Sequence, residues 1–201
     1  MMKDAVLIFA RNLNFGKVKT RIAATGGNDL AFSVYNHLLK YTAFITKHLP
    51  FEKVVFYSTQ IDRGDIWDDS IYQKQVQIGN DLGERMYNAL FSTFKLGCSK
   101  AIIIGTDCLE LTADIILNAF ELLNQHETVI GPAKDGGYYL IGMKNAHDEL
   151  FRDISWSTDK VLEQTIAICD QLQLSRKMLN VLSDIDDEND LRNMNKQFYL
   201  K

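Results

Sequence analysis

Side chains able to do chemistry are concentrated in a few short stretches of this sequence. Between Ala5 and Asn28 there is no Asp or Glu, yet Arg11, Lys17, Lys19 and Arg21 all fall there. In a chain of net charge −4, an acid-free basic island points to a local anionic ligand. The stretch runs from Arg11 through Gly16-Lys17-Val18-Lys19-Thr20-Arg21. Gly16 lets the backbone take a positive φ or approach a ligand closely. In an extended segment Lys17, Lys19 and Arg21 point to one side. With the Thr20 hydroxyl between them they suit a di- or triphosphate, Arg through bidentate contacts and Lys as point charges. The spacing G-x-x-x-x-G-K-[ST] is absent, so this is not a Walker loop. The competing reading is a solvated basic loop.

Carboxylates supply the second kind of chemistry. Asp107 follows the apolar run Ala101–Ile104 within Gly105-Thr106-Asp107-Cys108. A lone Asp at the end of a buried strand can hold an oxygen-preferring cation, Mg2+ or Mn2+, which would neutralise a departing phosphate. A capping role is better filled by Thr112. Asp135 lies in Gly131-Pro132-Ala133-Lys134-Asp135-Gly136-Gly137-Tyr138-Tyr139. Asp-Gly-Gly is also an ordinary turn signature, and both readings stand. Functionally, Asp135 offers a second carboxylate, either a metal ligand or a base for an acceptor hydroxyl. Gly136 and Gly137 are expected to let a sugar or phosphate lie against the backbone, and one of Tyr138 and Tyr139 to pack inward. In Gly79-Asn80-Asp81-Leu82-Gly83-Glu84-Arg85 a capping box explains Asp81 and Glu84, while Arg85 could face an anion. Trp156 stacks on a ligand or packs; Thr158 is read as a helix cap. The acids from Asp184 to Asp190 fit the start of a helix, and only Asp186 is kept as a metal or acceptor contact.

These residues need a frame. Expected strands are Ala5–Ala10, Lys53–Ser58, Gln75–Ile78, Ala101–Gly105, Thr128–Ile130, Tyr138–Gly142 and Lys177–Leu182, and residues 60–73 are expected to be irregular. Expected helices run from Asn28 to Lys47, Asp81 to Leu96, Leu111 to Gln125, Thr158 to Leu172, and onward from Asp187. The alternation predicts an α/β fold, a Rossmann-like three-layer α/β/α arrangement with a mostly parallel central sheet, as one domain over residues 1–201. Ligands of such sheets bind at the carboxyl ends of the strands, which collects the loops 11–27, 79–83, 105–110 and 131–137. The overall charge gives no sign of nucleic acid binding. No stretch approaches the roughly 20 apolar residues of a membrane span. Cys98, Cys108 and Cys169 are neither paired nor spaced for zinc, which predicts a cytoplasmic protein. A homo-oligomer is compatible with all of this.

Taken in order, the segments resemble a bacterial family of GT-A-type glycosyltransferases associated with radical-enzyme operons and, in some cases, arsenosugar biosynthesis. The family patterns F-A-[KR]-x-P-x-x-G-x-V-K-T-R-L, G-x-D-L-G-E-R-M, G-T-D-C-P-x-L, G-P-x-x-D-G-G-Y-Y-L-I-G, W-S-T and D-x-D-x-x-x-D-L stand here at Phe9–Ile22, Gly79–Met86, Gly105–Leu111, Gly131–Gly142, Trp156–Thr158 and Asp184–Leu191. Leu13 and Leu109 replace family prolines that would stiffen two loops. The family is similar to guanylyltransferases acting on phospholactate or the molybdenum cofactor. The resemblance implies a nucleotide-diphospho-sugar transferase fold. It also implies phosphate binding by Lys17, Lys19 and Arg21, with Asp107 and Asp135 serving metal and acceptor. The first expectation is metal-dependent sugar transfer from a nucleotide-diphospho-sugar to a small acceptor. The second is nucleotidyl transfer from a nucleoside triphosphate to a phosphorylated metabolite, although no G-G-x-S-x-R-M-G loop is present. The third is a non-catalytic nucleotide-binding protein.

Overall fold

The run Ala5–Ala10 forms strand β1, buried except at the half-buried Phe9, because its side chains are apolar on both faces of the pleat. Val6, Ile8 and Ala10 point to one face of the sheet; Ala5 and Leu7 point to the other. The structure, a computed structural model, describes residues 3–193; the remaining residues of the expected 1–201 unit lie outside the described residues. Six further strands follow: β2 (Glu52–Tyr57), β3 (Gln73–Val76), β4 (Ala101–Ile104), β5 (Thr128–Pro132), β6 (Tyr138–Met143) and β7 (Arg176–Met178). The helices are α1 (Thr20–Thr46), α2 (Leu82–Lys95), α3 (Ala113–Leu122), α4 (Val161–Gln171) and α5 (Glu188–Asn193).

The strands make one seven-stranded sheet in the order β3-β2-β1-β4-β6-β5-β7. All pairings are parallel except those of β6, which runs antiparallel to both β4 and β5. One apolar layer packs the sheet under α1, α3 and α5, through Val34, Leu38, Ile116 and Leu191. The other packs it under α2 and α4, through Met86, Leu90 and Cys169. This is the three-layer α/β/α arrangement with a mostly parallel sheet that the sequence predicts.

Local boundaries differ in instructive places. The helix expected from Asn28 begins at Thr20 and breaks at Gly27, whose φ of 85° and ψ of 165° are not helical. Lys17, Lys19 and Arg21 therefore do not alternate along an extended segment: Lys17 lies in a turn, Lys19 is left-handed and Arg21 is helical. Strand β3 starts two residues before the expected Gln75, and β7 is confined to Arg176–Met178. Thr158 does not cap α4, which starts at Val161; its hydroxyl donates to Ser155 O and accepts from Lys160 N. The other caps are as read. Asp81 accepts from Glu84 N at 2.8 Å, and Glu84 reaches back to Asn80 N at 2.8 Å, one residue beyond the usual box. Thr112 accepts from Ile115 N. Leu13 and Leu109, which replace the family prolines, pack against the core, so apolar contact anchors loops that a ring would have stiffened.

Helix α2 approaches the 151–156 segment so closely that a Cβ on Gly83 would stand 2.3 Å from Phe151 O and 2.6 Å from Trp156 Nε1. Gly83→Ala must push the two elements apart. The expected cost is about 1–3 kcal/mol, typical of overpacking, read as a lower urea midpoint at unchanged slope.

Candidate active site at the strand switch

β1 and β4 are neighbours, yet the chain leaves β1 toward β2 on one side and β4 toward the other strands on the other side. Such a divergence opens a crevice beyond the carboxyl ends of the strands. A cleft of about 670 Å3 lies there. Its lining includes Arg11, Lys19, Thr20 and Arg21 from the first loop and α1, and Asp107 from the loop after β4. Asp135, Gly137 and Tyr138 come from the β5–β6 hairpin, Trp156 from the segment before α4, and Asp184 and Asp186 from the loop after β7.

The first loop is tied at two points. The buried Tyr35 hydroxyl accepts from Arg11 N at 2.7 Å and donates to Arg11 O at 3.1 Å, and Thr106 Oγ1 lies 3.3 Å away. Burial and the neighbouring Asp107 push the Tyr35 pKa up, so it stays a neutral donor and acceptor. Asn12, also buried, donates through Nδ2 to Gln60 O and Asp62 Oδ2, both at 2.8 Å. Its Oδ1 accepts from Thr59 N and Thr59 Oγ1. Gly16 has a φ of 75°, the left-handed turn its residue type permits.

Lys19 sits at the centre. Its side chain is 7% exposed, and its ammonium lies 2.8 Å from Asp107 Oδ1 and 3.0 Å from Asp186 Oδ1. It hydrogen-bonds Asp186; toward Asp107 Oδ1, a buried atom without an aligned hydrogen-bond donor, the contact is an ion pair at a poor angle. The two carboxylates outweigh burial and raise the Lys19 pKa. The residue pays for this position with a left-handed backbone, φ 45° and ψ 52°, a conformation costing about 1–2 kcal/mol without glycine.

The loop after β7 is fixed by main-chain bonds to both other acidic loops. Ile185 N donates to Asp107 O at 2.9 Å, and Lys134 N to Leu182 O at 3.0 Å. Asp187 and Asp190 cap α5: Asp187 Oδ1 accepts from Asn189 N and Asp190 N, and Asp190 Oδ2 from Asp186 N and Asp187 N. That leaves Asp184 and Asp186 to the cleft. Asp184 was passed over in the sequence, where an acid-rich run before a helix hides its neighbours. Burial first, then repulsion from Asp107, Asp135 and Asp186, pushes its pKa up to about 7.

Not every expected site residue reaches the cleft. Gly16, Lys17, Arg85 and Gly136 lie outside its lining. Lys17 is exposed on the turn, and Arg85 turns back so that Nε donates to Gly79 O at 3.1 Å. Gly136 leaves no room for a sugar: at φ 89°, its missing Cβ would stand 2.3 Å from Asp159 O, so the hairpin tip packs on the start of α4. Gly137 does line the cleft and donates its N–H to Asp135 Oδ1 at 2.9 Å. Tyr139 is the buried tyrosine, its hydroxyl on Asn180 O. Tyr138 meets Trp156 edge to face at 6.5 Å, and both side chains wall the cleft. Cys108 is buried and its thiol is pushed up to about 12, so it is no nucleophile.

A profile of the family described as "Uncharacterized protein conserved in bacteria (DUF2064)" matches residues 43–158. No curated protein matches the chain. Among solved structures, a candidate nucleotide-diphospho-sugar transferase from Desulfovibrio desulfuricans G20 aligns over 100% of this chain and 92% of that one. Its identity is 27% and its TM-score 0.89. The 4-diphosphocytidyl-2C-methyl-D-erythritol synthase of Anaerococcus prevotii DSM 20548 aligns over 95% of each chain at 10% identity and TM-score 0.56. A manganese complex of the Mycobacterium tuberculosis H37Rv protein Rv0371C covers 95% of this chain and 96% of that one, at 11% identity and TM-score 0.53. The fold is that of the nucleotide-diphospho-sugar transferases.

The Asp184 environment yields a stability prediction. A carboxyl whose pKa is higher folded than unfolded binds its proton more tightly in the native state. Stability therefore falls as pH rises from about 4 through about 7. Asp184→Asn should melt several degrees above the parent protein at pH 8 in EDTA, a gain on the order of 2 kcal/mol after allowing for partial solvent access. At pH 4 the two proteins should melt together. A variant no more stable than the parent at pH 8 would show that Asp184 is not held in this repulsive setting.

Proposed function

We propose that this chain, which belongs to the bacterial family DUF2064, is a divalent-cation-dependent transferase that moves a sugar from a nucleotide-diphospho-sugar to a small acceptor. One observation carries this reading: a single cleft at the strand switch combines Arg11, Lys19 and Arg21 with Asp107, Asp135, Asp184 and Asp186. Cations suit a diphosphate. Carboxylates suit a hard metal ion and a proton acceptor.

The residues present fit Mg2+ or Mn2+. Asp107 and Asp186 converge on one point, and Asp107 Oδ1 is a buried oxygen without an aligned donor. Among the described residues no three His, Cys, Asp or Glu side chains form a closed ligand set. Mg2+ needs only one or two protein carboxylates when substrate phosphates complete its shell. When bound between Asp107 and Asp186, the ion would supply positive charge to the nucleotide diphosphate as it leaves.

The chain's own groups do the rest. Tyr35 holds the Arg11 main chain and Arg21 stands on the first turn of α1, so both guanidinium groups can reach phosphate oxygens in the cleft they line. Asp135, held by the Gly137 N–H, takes the proton of the incoming acceptor hydroxyl. Trp156 and Tyr138 provide a flat wall against which a sugar ring can lie. In the described residues no helix is long and apolar enough to cross a membrane.

A second reading, nucleotidyl transfer from a nucleoside triphosphate, draws support from the same cations, which suit three phosphates as well as two. A thermal-shift screen separates the readings. Nucleotide-diphospho-sugars with Mn2+ should raise the melting temperature under the first, and free triphosphates more strongly under the second, because a ligand of the native state alone stabilises it.

Two variants test the assigned roles. Asp107→Asn should fold normally yet lose activity by roughly 10²–10³-fold, the scale of one preorganised electrostatic contact. Asp135→Asn should cut transfer by roughly 10²–10⁴-fold while calorimetry shows nucleotide affinity, and its dependence on Mn2+, intact. Loss of the Mn2+-dependent part of that affinity would instead assign Asp135 to the metal.

A further inference from the structure

Lys19 occupies the point on which Asp107 and Asp186 converge, the point that the transferase reading above gives to a divalent cation. We propose that Lys19 is a tethered counter-ion. Its ammonium holds the two carboxylates together in the ligand-free protein, and a divalent cation entering between them releases it toward the phosphates of the substrate. This inference rests on the transferase reading and adds to it an order of events.

Four observations support it. First, the ammonium makes ion pairs at 2.8 and 3.0 Å with residues on two different loops, so it performs the bridging task of a metal ion. Second, its side chain is buried while Asp107 and Asp186 remain 41% and 40% exposed. The carboxylates can therefore be reached from the cleft, whose lining they share with the more enclosed lysine. Third, the Asp186 contact has hydrogen-bond geometry, whereas Asp107 Oδ1, 2.8 Å from the ammonium, has no aligned donor. Fourth, Lys19 holds a left-handed backbone that the ion pairs must sustain. The cleft lining carries five aspartates, including Asp159, against Arg11, Lys19 and Arg21. A dication replacing the ammonium there improves the balance, and the freed charge then lies beside Arg21, where a phosphate is to bind.

The tether and the metal compete, so removing the tether must strengthen metal binding. The experiment is a Mn2+ titration of the nucleotide-free protein followed by electron paramagnetic resonance. It compares the parent chain with Lys19→Met and with Lys19→Asn, a residue that tolerates the left-handed region, so that folding is retained in at least one variant. Both folded variants should bind Mn2+ roughly tenfold more tightly, the scale of losing two partly exposed ion pairs. Affinity that is equal to or weaker than the parent's would overturn the inference and make Lys19 a supporting ligand partner. Repeating the titration with UDP and GDP present separates this failure from failure of the transferase reading. If the parent takes up Mn2+ with a nucleoside diphosphate while the variants show no gain without one, the tether is wrong and the reading stands. If no protein takes up Mn2+ under any condition, Lys19 is a permanent substitute for the metal, and both the tether and the metal-dependent reading fall.

Discussion

A buried ammonium between two aspartates governs how this site is put together. Lys19 and Asp186 are 167 positions apart in the chain, and Asp107 comes from a third loop. Each acid brought to the rim alone would repel the next. A charge removed from water must be paired or it costs several kcal/mol, and here the ammonium joins the loops after β1, β4 and β7 by pairing with an acid from each of the last two. The left-handed backbone at Lys19 is tolerated because alternatives that relax it would leave the ammonium unpaired or the carboxylates facing one another. Asp184 shows the limit of this arrangement. One lysine does not neutralise the whole group, and the most enclosed carboxyl responds by holding its proton to about pH 7.

The sheet makes such a meeting available. Because β1 and β4 are parallel neighbours in register from Ala5↔Ala101 to Ile8↔Ile104, their following loops leave at the same level. The chain's reversal at β6 then adds something that an all-parallel sheet would lack. A hairpin between β5 and antiparallel β6 turns at the carboxyl rim, so Asp135 projects beside Asp107 without any crossover helix. β7, parallel to β5, delivers Asp184 and Asp186 to the same rim. The tip is then clamped from behind, since Leu162 N donates to Gly136 O at 2.8 Å, which explains a glycine that packs against backbone and offers no space to a ligand.

Much of this was legible in the sequence. The strands Ala5–Ala10 and Ala101–Ile104 are continuous apolar runs too short for a buried helix, which favours strands covered on both faces. Asp81, Thr112 and the acids around Asp187 announce helices through side chains that satisfy free N–H groups, a local and therefore readable device. The start of α1 carries no such device. Its capping position is Lys19, without a side-chain cap bond, while Gly26-Gly27 and Asn28 further on imitate a loop ending in a cap. Local signals therefore place the helix start eight residues late and set three cations on one side, whereas of the three only Lys19 and Arg21 line the cleft. Asp184 was missed for a different reason. Its importance lies in neighbours contributed by two other loops, and two acids spaced by one residue before a helix have an adequate local explanation. Arg85 was drawn toward an anion by its helix terminus, whereas the nearest acceptor, Gly79 O, lies on its own loop.

The balance of charge in the cleft constrains the order in which ligands can arrive. Five aspartates facing a diphosphate would oppose it, and Arg11 and Arg21 are on the exposed side of the cleft, where screening weakens them at physiological ionic strength. On the reading proposed here, a dication between Asp107 and Asp186 cancels the two nearest carboxylates and leaves the Lys19 ammonium unspent, so the local field changes sign where the phosphates are to lie. Metal and nucleotide then favour one another's binding by the same factor, as linkage requires of any two ligands that bias one rearrangement. On the same reading, the acceptor side takes no part in that change. Asp135 is held by a backbone N–H of its own hairpin and makes no ion pair with Lys19 among the described residues. On the proposed reading, an acid-rich cleft thus divides into a half whose charge the metal offsets as the donor binds and a half, around Asp135, that faces the acceptor.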